Sequence, residues 1–151
     1  MALGDPAVFA ALFAALYAAH EVGDHWVQTH HQARGKGEPT WRGRWLCAGH
    51  VASLTATKAA AVAVVWLVLG LSLSLWAVAA GLLLDAVTHY VIDRRAPLQA
   101  LAARLGKGEF AALGDPSAAP TGTGAYALDQ SWHIGWLLVA ALVMSIGGGA
   151  A

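Results

Sequence analysis

The sequence has little charge and only one cysteine. Asp, Glu, Lys and Arg make up 12% of its 151 residues, against about 25% in typical soluble proteins, and 58% of the residues are hydrophobic. These proportions exclude an ordinary soluble domain. The lone Cys47 excludes an intrachain disulfide and a thiolate-rich zinc cluster. Nine basic and nine acidic residues cancel, so no nucleic-acid partner is expected from the net charge.

The amino terminus also lacks the positive charge of a secretory signal peptide. Residues 1–6 contain Asp5 but no Lys or Arg, whereas a signal peptide begins with a basic region. The first apolar stretch is therefore expected to remain in the protein as a membrane span.

Four apolar stretches are long enough to cross a bilayer, which takes about 20 residues. They cover residues 6–29, 45–69, 72–94 and 126–146. As one helix, the second and third together would be about 75 Å long, more than twice the hydrocarbon thickness. We therefore expect a hairpin at residues 70–74. The sequence predicts an all-α bundle of four transmembrane helices, forming a single integral-membrane domain over residues 1–151.

The basic residues are concentrated in two connections, residues 30–44 and 95–125, whereas the hairpin and both termini contain none. The positive-inside rule predicts that both connections are cytoplasmic and both termini outside, in a bacterial inner membrane. Within the second connection, Pro97 to Leu105 has apolar residues at helical spacing and predicts a short interfacial helix. The Gly-, Pro-, Ser- and Thr-rich stretch 114–124 predicts a mobile loop.

Ionisable and amide residues recur at helical spacing inside the apolar stretches. They are His20, Asp24 and Gln28 in the first; His50 and Lys58 in the second; Asp85, His89 and Asp93 in the third; and Asp129, Gln130 and His133 in the fourth. Side chains four residues apart stack on one helix face. Because such groups are costly in hydrocarbon, we expect them to face the bundle interior and to mark a functional site.

Most of these residues are expected to lie at a similar depth in the bilayer. At about 1.5 Å per residue from the cytoplasmic helix ends, they lie about 3–13 Å into the bilayer. The residues at this level are His20, Asp24, His50, His89, Asp93, Asp129 and His133. Imidazole and carboxylate together predict a site for divalent zinc, iron or manganese, with enough ligands for one metal or for two.

Roles within the predicted site differ. Asp24 or Asp129 is expected to act as a general base towards water bound to the metal. The carboxylate of Asp129 has an alternative explanation as a cap of the fourth helix. Gln28 is expected to form a hydrogen bond between helices, to hold the site in place, or to bind the metal directly. Gln130 belongs to the same polar group. His30 and His31 are expected to be solvated in the basic connection.

Lys58 and Asp85 lie deeper, about 20 and 15 Å from the cytoplasmic end. A charged lysine at that depth needs a partner, and Asp85 is at a comparable level. The sequence leaves two interpretations open: a structural ion pair that sets helix register, or a lysine that binds an anionic group or relays a proton.

The polar motifs also resemble a known family. His20-xxx-Asp24-xxx-Gln28-Thr29, His50, Thr88-His89-xxx-Asp93 and Asp129-Gln130-xx-His133 resemble the small bacterial integral-membrane proteins grouped as domain of unknown function 3307. The resemblance runs from about Leu12 to Val143. It implies a fold and a shared polar signature but no reaction. The His-xxx-Asp pattern is more faintly similar to membrane-bound metal-dependent hydrolases.

Three functions are compatible with these patterns. The first is a metal-dependent hydrolase that acts on an amphiphilic or lipid-linked substrate within the bilayer. The second is ion or proton translocation, or a subunit of a transporter, with Lys58 and Asp85 extending the polar path. The third is a non-catalytic accessory membrane protein. Ala-rich stretches such as Ala56 to Ala63 allow close helix approach, which also leaves a homo-oligomer open.

Overall fold

The computed structural model describes residues 4–150 and has four helices long and apolar enough to cross a membrane. Helix α1 is Pro6–Val22 and continues as a π-helical turn, Gly23–Val27. Helices α3 (Trp41–Leu69), α4 (Leu75–Asp93) and α7 (Gly124–Met144) are the other three. The predicted all-α, four-helix architecture is therefore confirmed.

Short elements connect the long helices. Helix α2 is His30–Gly35, α5 is Ala96–Arg104 and α6 is Gly108–Ala111, followed by a 3-10 turn at Pro120–Gly122. Helix α5 lies where the sequence predicts the amphipathic helix. Two-residue strands β1 (Leu71–Ser72) and β2 (Gly149–Ala150) pair antiparallel.

The long helices begin and end at residues suited to those positions. The Asp5 carboxylate accepts hydrogen bonds from the backbone of Ala7 and Val8, and Pro6 occupies the first turn of α1. Helix α3 ends at Gly70, whose positive φ of 62° favours glycine. Helix α7 is capped by the Thr123 hydroxyl, so the interpretation of Asp129 as a helix cap is wrong: it lies beyond the first turn.

The four long helices form a ring in the order α1, α3, α4, α7, with α7 packing back on α1. Gly4 bridges to Ile146, and β1 of the α3–α4 hairpin pairs with β2. Both ends of the described chain thus lie at the hairpin end of the bundle. The connections that contain α2 and α5 lie at the opposite end.

The interior is layered along the helix axes. An apolar core lies towards the hairpin and is formed by Val8, Leu12, Leu16, Val62, Leu137, Ala140, Ala141 and Met144. Helices α4 and α7 approach closely there, because a Cβ on Gly81 would lie 2.9 Å from the Ala140 carbonyl oxygen. Buried polar side chains fill the remaining interior, towards the opposite end.

Candidate metal centre

Four histidines, one from each long helix, converge in the polar part of the bundle. His20, His50, His89 and His133 come from α1, α3, α4 and α7 and are each at most 2% exposed. The rings of His89 and His133 stack with centroids 3.9 Å apart, and the rings of His20 and His50 lie 5.6 and 5.2 Å from that of His89. The four histidines thus share the depth expected from the sequence, and their side chains also meet between the helices.

Three ligand atoms form a compact triangle in this cluster. His50 Nε2 lies 3.2 Å from His89 Nε2 and 3.4 Å from Asp93 Oδ2, and His89 Nε2 lies 3.2 Å from the same oxygen. Asp24 Oδ1 approaches both imidazoles as well, at 3.0 Å from His50 and 3.6 Å from His89. Neighbouring ligands of a tetrahedral zinc ion, bound at about 2.0–2.1 Å, are about 3.3–3.4 Å apart. The triangle has the dimensions of one face of such a site.

Ordinary hydrogen bonds do not satisfy the carboxylate oxygens of this cluster. Asp24 Oδ1 and Asp93 Oδ2 are buried, yet within residues 4–150 they have no hydrogen bond of normal geometry. Buried oxygens are nearly always satisfied. Nitrogen and oxygen atoms that crowd together without hydrogen-bond alignment are suited to share an ion.

A second group of possible metal ligands lies near the other carboxylate oxygen of Asp93, Oδ1. His133 Nε2 is 3.8 Å from Asp93 Oδ1 and 3.5 Å from Asp129 Oδ2. Asp93, Asp129 and His133 can hold a metal ion, and so can Asp24, His89 and His133. Because these groups share residues with the triangle, they are one connected site rather than separate ones.

His20 and the two glutamines surround the site without joining those groups. His20 Nε2 lies 3.3 Å from Gln130 Oε1 and 3.7 Å from Asp24 Oδ2. The Gln130 amide also donates to Asp129 at 3.4 Å. Gln28 is half-buried, and its amide nitrogen makes no hydrogen bond in the described chain, so the expected interhelical bond is not seen. The geometry thus places His20 beside the candidate ligands, although the sequence predicts it as one of them.

The π-helical turn positions Asp24. The Gln28 backbone N–H donates at 2.9 Å to the carbonyl of Gly23, five residues earlier, instead of four as in an α-helix. Such turns occur frequently at functional sites. The prediction of shared helix faces from residue spacing assumes α-helical geometry, so it could not reveal this π-helical turn.

Lys36 belongs to the site although the sequence placed it only in a basic connection. Its Nζ lies 2.8 Å from Asp93 Oδ1, and its side chain is 13% exposed. The Arg94 guanidinium donates to the Lys36 and Glu38 carbonyls, and Arg95 donates to the Ala33 carbonyl at 3.0 Å. Consecutive residues at the end of α4 thus hold the α2–α3 connection over the site. The sequence contains one indirect signal for Lys36: the predicted metal site contains three carboxylates and no lysine or arginine to balance their charge.

The deeper charges form a buried pair. Lys58 Nζ donates to Asp85 Oδ2 at 2.7 Å, and both side chains are at most 4% exposed. Asp85 lies one turn from His89 on α4, so the pair separates the candidate metal centre from the apolar core. His30 and His31, by contrast, are exposed on α2.

Comparison with known proteins identifies a family signature along nearly the whole chain. The family model described as "Protein of unknown function (DUF3307)" matches residues 12–148. No curated protein and no solved structure matches the chain. The fainter resemblance to metal-dependent hydrolases therefore stays a prediction.

Proposed function

The chain belongs to the DUF3307 family of proteins of unknown function, and we propose that it is a membrane protein that holds one divalent metal ion and hydrolyses an amphiphilic substrate. The observation that carries this proposal is the triangle of His50, His89 and Asp93, whose edges of 3.2–3.4 Å suit a small divalent ion. Asp24 supplies a fourth oxygen beside the same two imidazoles.

The charges of the site support a single ion. Asp24, Asp93 and Asp129 bring three carboxylates, and Lys36 brings one ammonium. With neutral histidines, two negative charges remain inside the bundle, where unpaired charge is costly. One divalent cation neutralises them, whereas a second would leave an excess of positive charge.

Zinc suits this site best among the candidate metals. Two imidazoles and carboxylate oxygens at tetrahedral spacing are typical of catalytic zinc. Iron and manganese accept the same ligand types but generally take more ligands. Metal analysis distinguishes the three.

The remaining side chains suit hydrolysis. A divalent ion would supply hydroxide near neutral pH by acidifying the water that it binds. We assign the general base to Asp129, because its side chain is 23% exposed and can reach incoming water and substrate. It takes the water proton as the oxygen attacks the substrate ester, and the proton then passes to the departing alcohol. Asp24, the other candidate base, lies among the ligands.

The site is proposed to lie at the cytoplasmic face of a bacterial inner membrane. Lys36, Arg94 and Arg95 cluster at the same end of the bundle as the metal centre, whereas both described chain ends lie at the hairpin end. The positive-inside rule then orients both termini outwards.

Translocation fits less well. The Lys58–Asp85 pair extends the polar interior by one layer. Beyond it, the apolar core of Val8, Leu12, Leu137 and their neighbours is at most 3% exposed and offers no polar atoms for an ion to follow. An accessory role without catalysis remains the other alternative, and turnover assays separate it from hydrolysis.

Elemental analysis of detergent-purified protein tests the metal. We expect one equivalent in the wild type, loss in His89→Ala, and retention in the matched control His30→Ala, which removes an exposed histidine from α2. Substoichiometric metal that is equal in all three proteins would refute the metal centre.

Catalysis is tested separately with Asp129→Asn. This variant should keep its metal but lose hydrolysis of ester lipids in mixed micelles. Metal-loaded wild type that turns over no phosphate or carboxylate ester would favour the accessory role instead.

A further inference from the structure

A groove runs along the outside of the bundle, beside the helix α7 that carries Asp129 and His133. It lies between α5 and α7, has a volume of 370 Å³, and is lined mainly by apolar side chains such as Leu98, Leu101, Leu128 and Trp136. Resting on the proposed function, we propose that this groove binds one acyl chain of an anionic lipid and presents its headgroup to the site as the substrate.

The length of the groove suits one acyl chain. Its lining residues on α7 extend from Leu128 to Val139, a rise of about 16 Å along the helix axis. One leaflet contributes about half of the ~30 Å hydrocarbon thickness. The groove therefore spans the depth that a lipid tail occupies on one side of the membrane.

Charge at the groove indicates the headgroup. Lys107 is the sole charged residue among the side chains that line it, and no carboxylate lines it. Trp132 also lines it, and its indole N–H is buried without a hydrogen-bond partner in the described part of the chain. A buried donor of this kind normally finds an acceptor. The oxygens of an acidic phospholipid supply both an acceptor and the negative charge that complements Lys107.

Access to the metal centre opens on the same helix. Asp129 directly follows Leu128 of the groove and is 23% exposed, whereas the side chains of Asp24, Asp93 and the four site histidines are at most 7% exposed. Leu128 and Asp129 share a depth but point about 100° apart around the axis of α7. The headgroup of a lipid seated in the groove would therefore lie level with the most accessible carboxylate of the site and would reach it around the helix.

Gly135 provides a sharp test, because it lines the groove and a Cβ there would meet no atom within 4 Å. Gly135→Leu fills the groove, whereas Gly135→Ala leaves most of it open. Ala79→Leu places the same leucine side chain at an exposed position of α4. Native mass spectrometry with dioleoyl phosphatidic acid and dioleoyl phosphatidylcholine measures lipid retention in each protein.

We expect the wild type, Gly135→Ala and Ala79→Leu to retain one phosphatidic acid in preference to phosphatidylcholine, and Gly135→Leu to lose that preference. Lys107→Gln should weaken retention of the acidic lipid about fivefold, whereas Arg42→Gln should not. Equal retention by Gly135→Leu and wild type, or equal retention of both lipids, would mean ordinary lipid contact and overturn the proposal.

A change from dimer to monomer in Gly135→Leu would also overturn it, because the groove would then bind a second copy of the chain. Metal content measured on the same samples tests the metal centre separately from the lipid groove. Retained metal with no lipid preference rejects the groove alone, whereas a metal-free wild type that still prefers phosphatidic acid rejects the metal centre alone.

Discussion

His50 Nε2 lies 3.2 Å from His89 Nε2, although the residues are 39 positions apart and on different helices. Two ring nitrogens this close must either share a proton or bind one ion. The second interpretation explains why both also lie within 3.4 Å of Asp93 Oδ2.

The histidines should therefore differ in their effect on metal affinity. His50→Ala removes a ligand and should weaken binding by more than about 100-fold, whereas His20→Ala removes a neighbour of the ligands and should cost about 10-fold. Competition with a chromophoric chelator measures both. Equal losses would mean that the triangle is not the primary site.

Lys36→Met should destabilise the metal-free protein more than the metal-loaded protein. The substitution leaves the Asp93 carboxylate buried without its cation, and removal of one partner of a buried ion pair costs about 3–5 kcal/mol. A bound divalent ion compensates for that charge. The melting temperature with and without metal measures the difference, and Lys107→Met is the matched control. If metal raises the melting temperature of Lys36→Met no more than that of the wild type, the ion pair between Lys36 and Asp93 is contradicted.

The Lys58–Asp85 pair should behave as a unit. Asp85→Ala leaves a buried ammonium and should lower the free energy of unfolding by about 3–5 kcal/mol, whereas Lys58→Met/Asp85→Leu should recover most of that loss. Thermal unfolding in detergent measures both. If the stable double variant still hydrolyses substrate, the pair is structural, and if it binds metal without turnover, the pair acts in proton or anion transfer.

Two glycines should respond oppositely to alanine. Gly81→Ala forces a Cβ towards Met144 and the Ala140 carbonyl oxygen, and overpacking of this kind costs about 1–3 kcal/mol. Gly135→Ala meets open space and should gain up to about 1 kcal/mol of helix propensity. Thermal unfolding compares them directly, and equal destabilisation would show that α4 and α7 do not pack as described.

Much of the architecture follows from local patterns in the chain. Length and hydropathy predict four spanning helices because hydrocarbon admits only segments that satisfy their own backbone hydrogen bonds. The i, i+4 spacing of His89 and Asp93 places both on one helix face, and comparable depth matches Lys58 with Asp85. These relationships depend on rise and rotation per residue, which the sequence encodes directly.

Other features of the site depend on how the helices and their connections pack against one another. Lys36 reaches Asp93 because Arg94 holds a connection over the bundle end, a contact between residues 57 positions apart in the chain. The π-helical turn at Asp24 and the position of His20 outside the triangle likewise depend on how the helices rotate against one another. Periodicity tells which side chains share a face of one helix, whereas the angle at which that face meets its neighbours is a property of the assembled bundle.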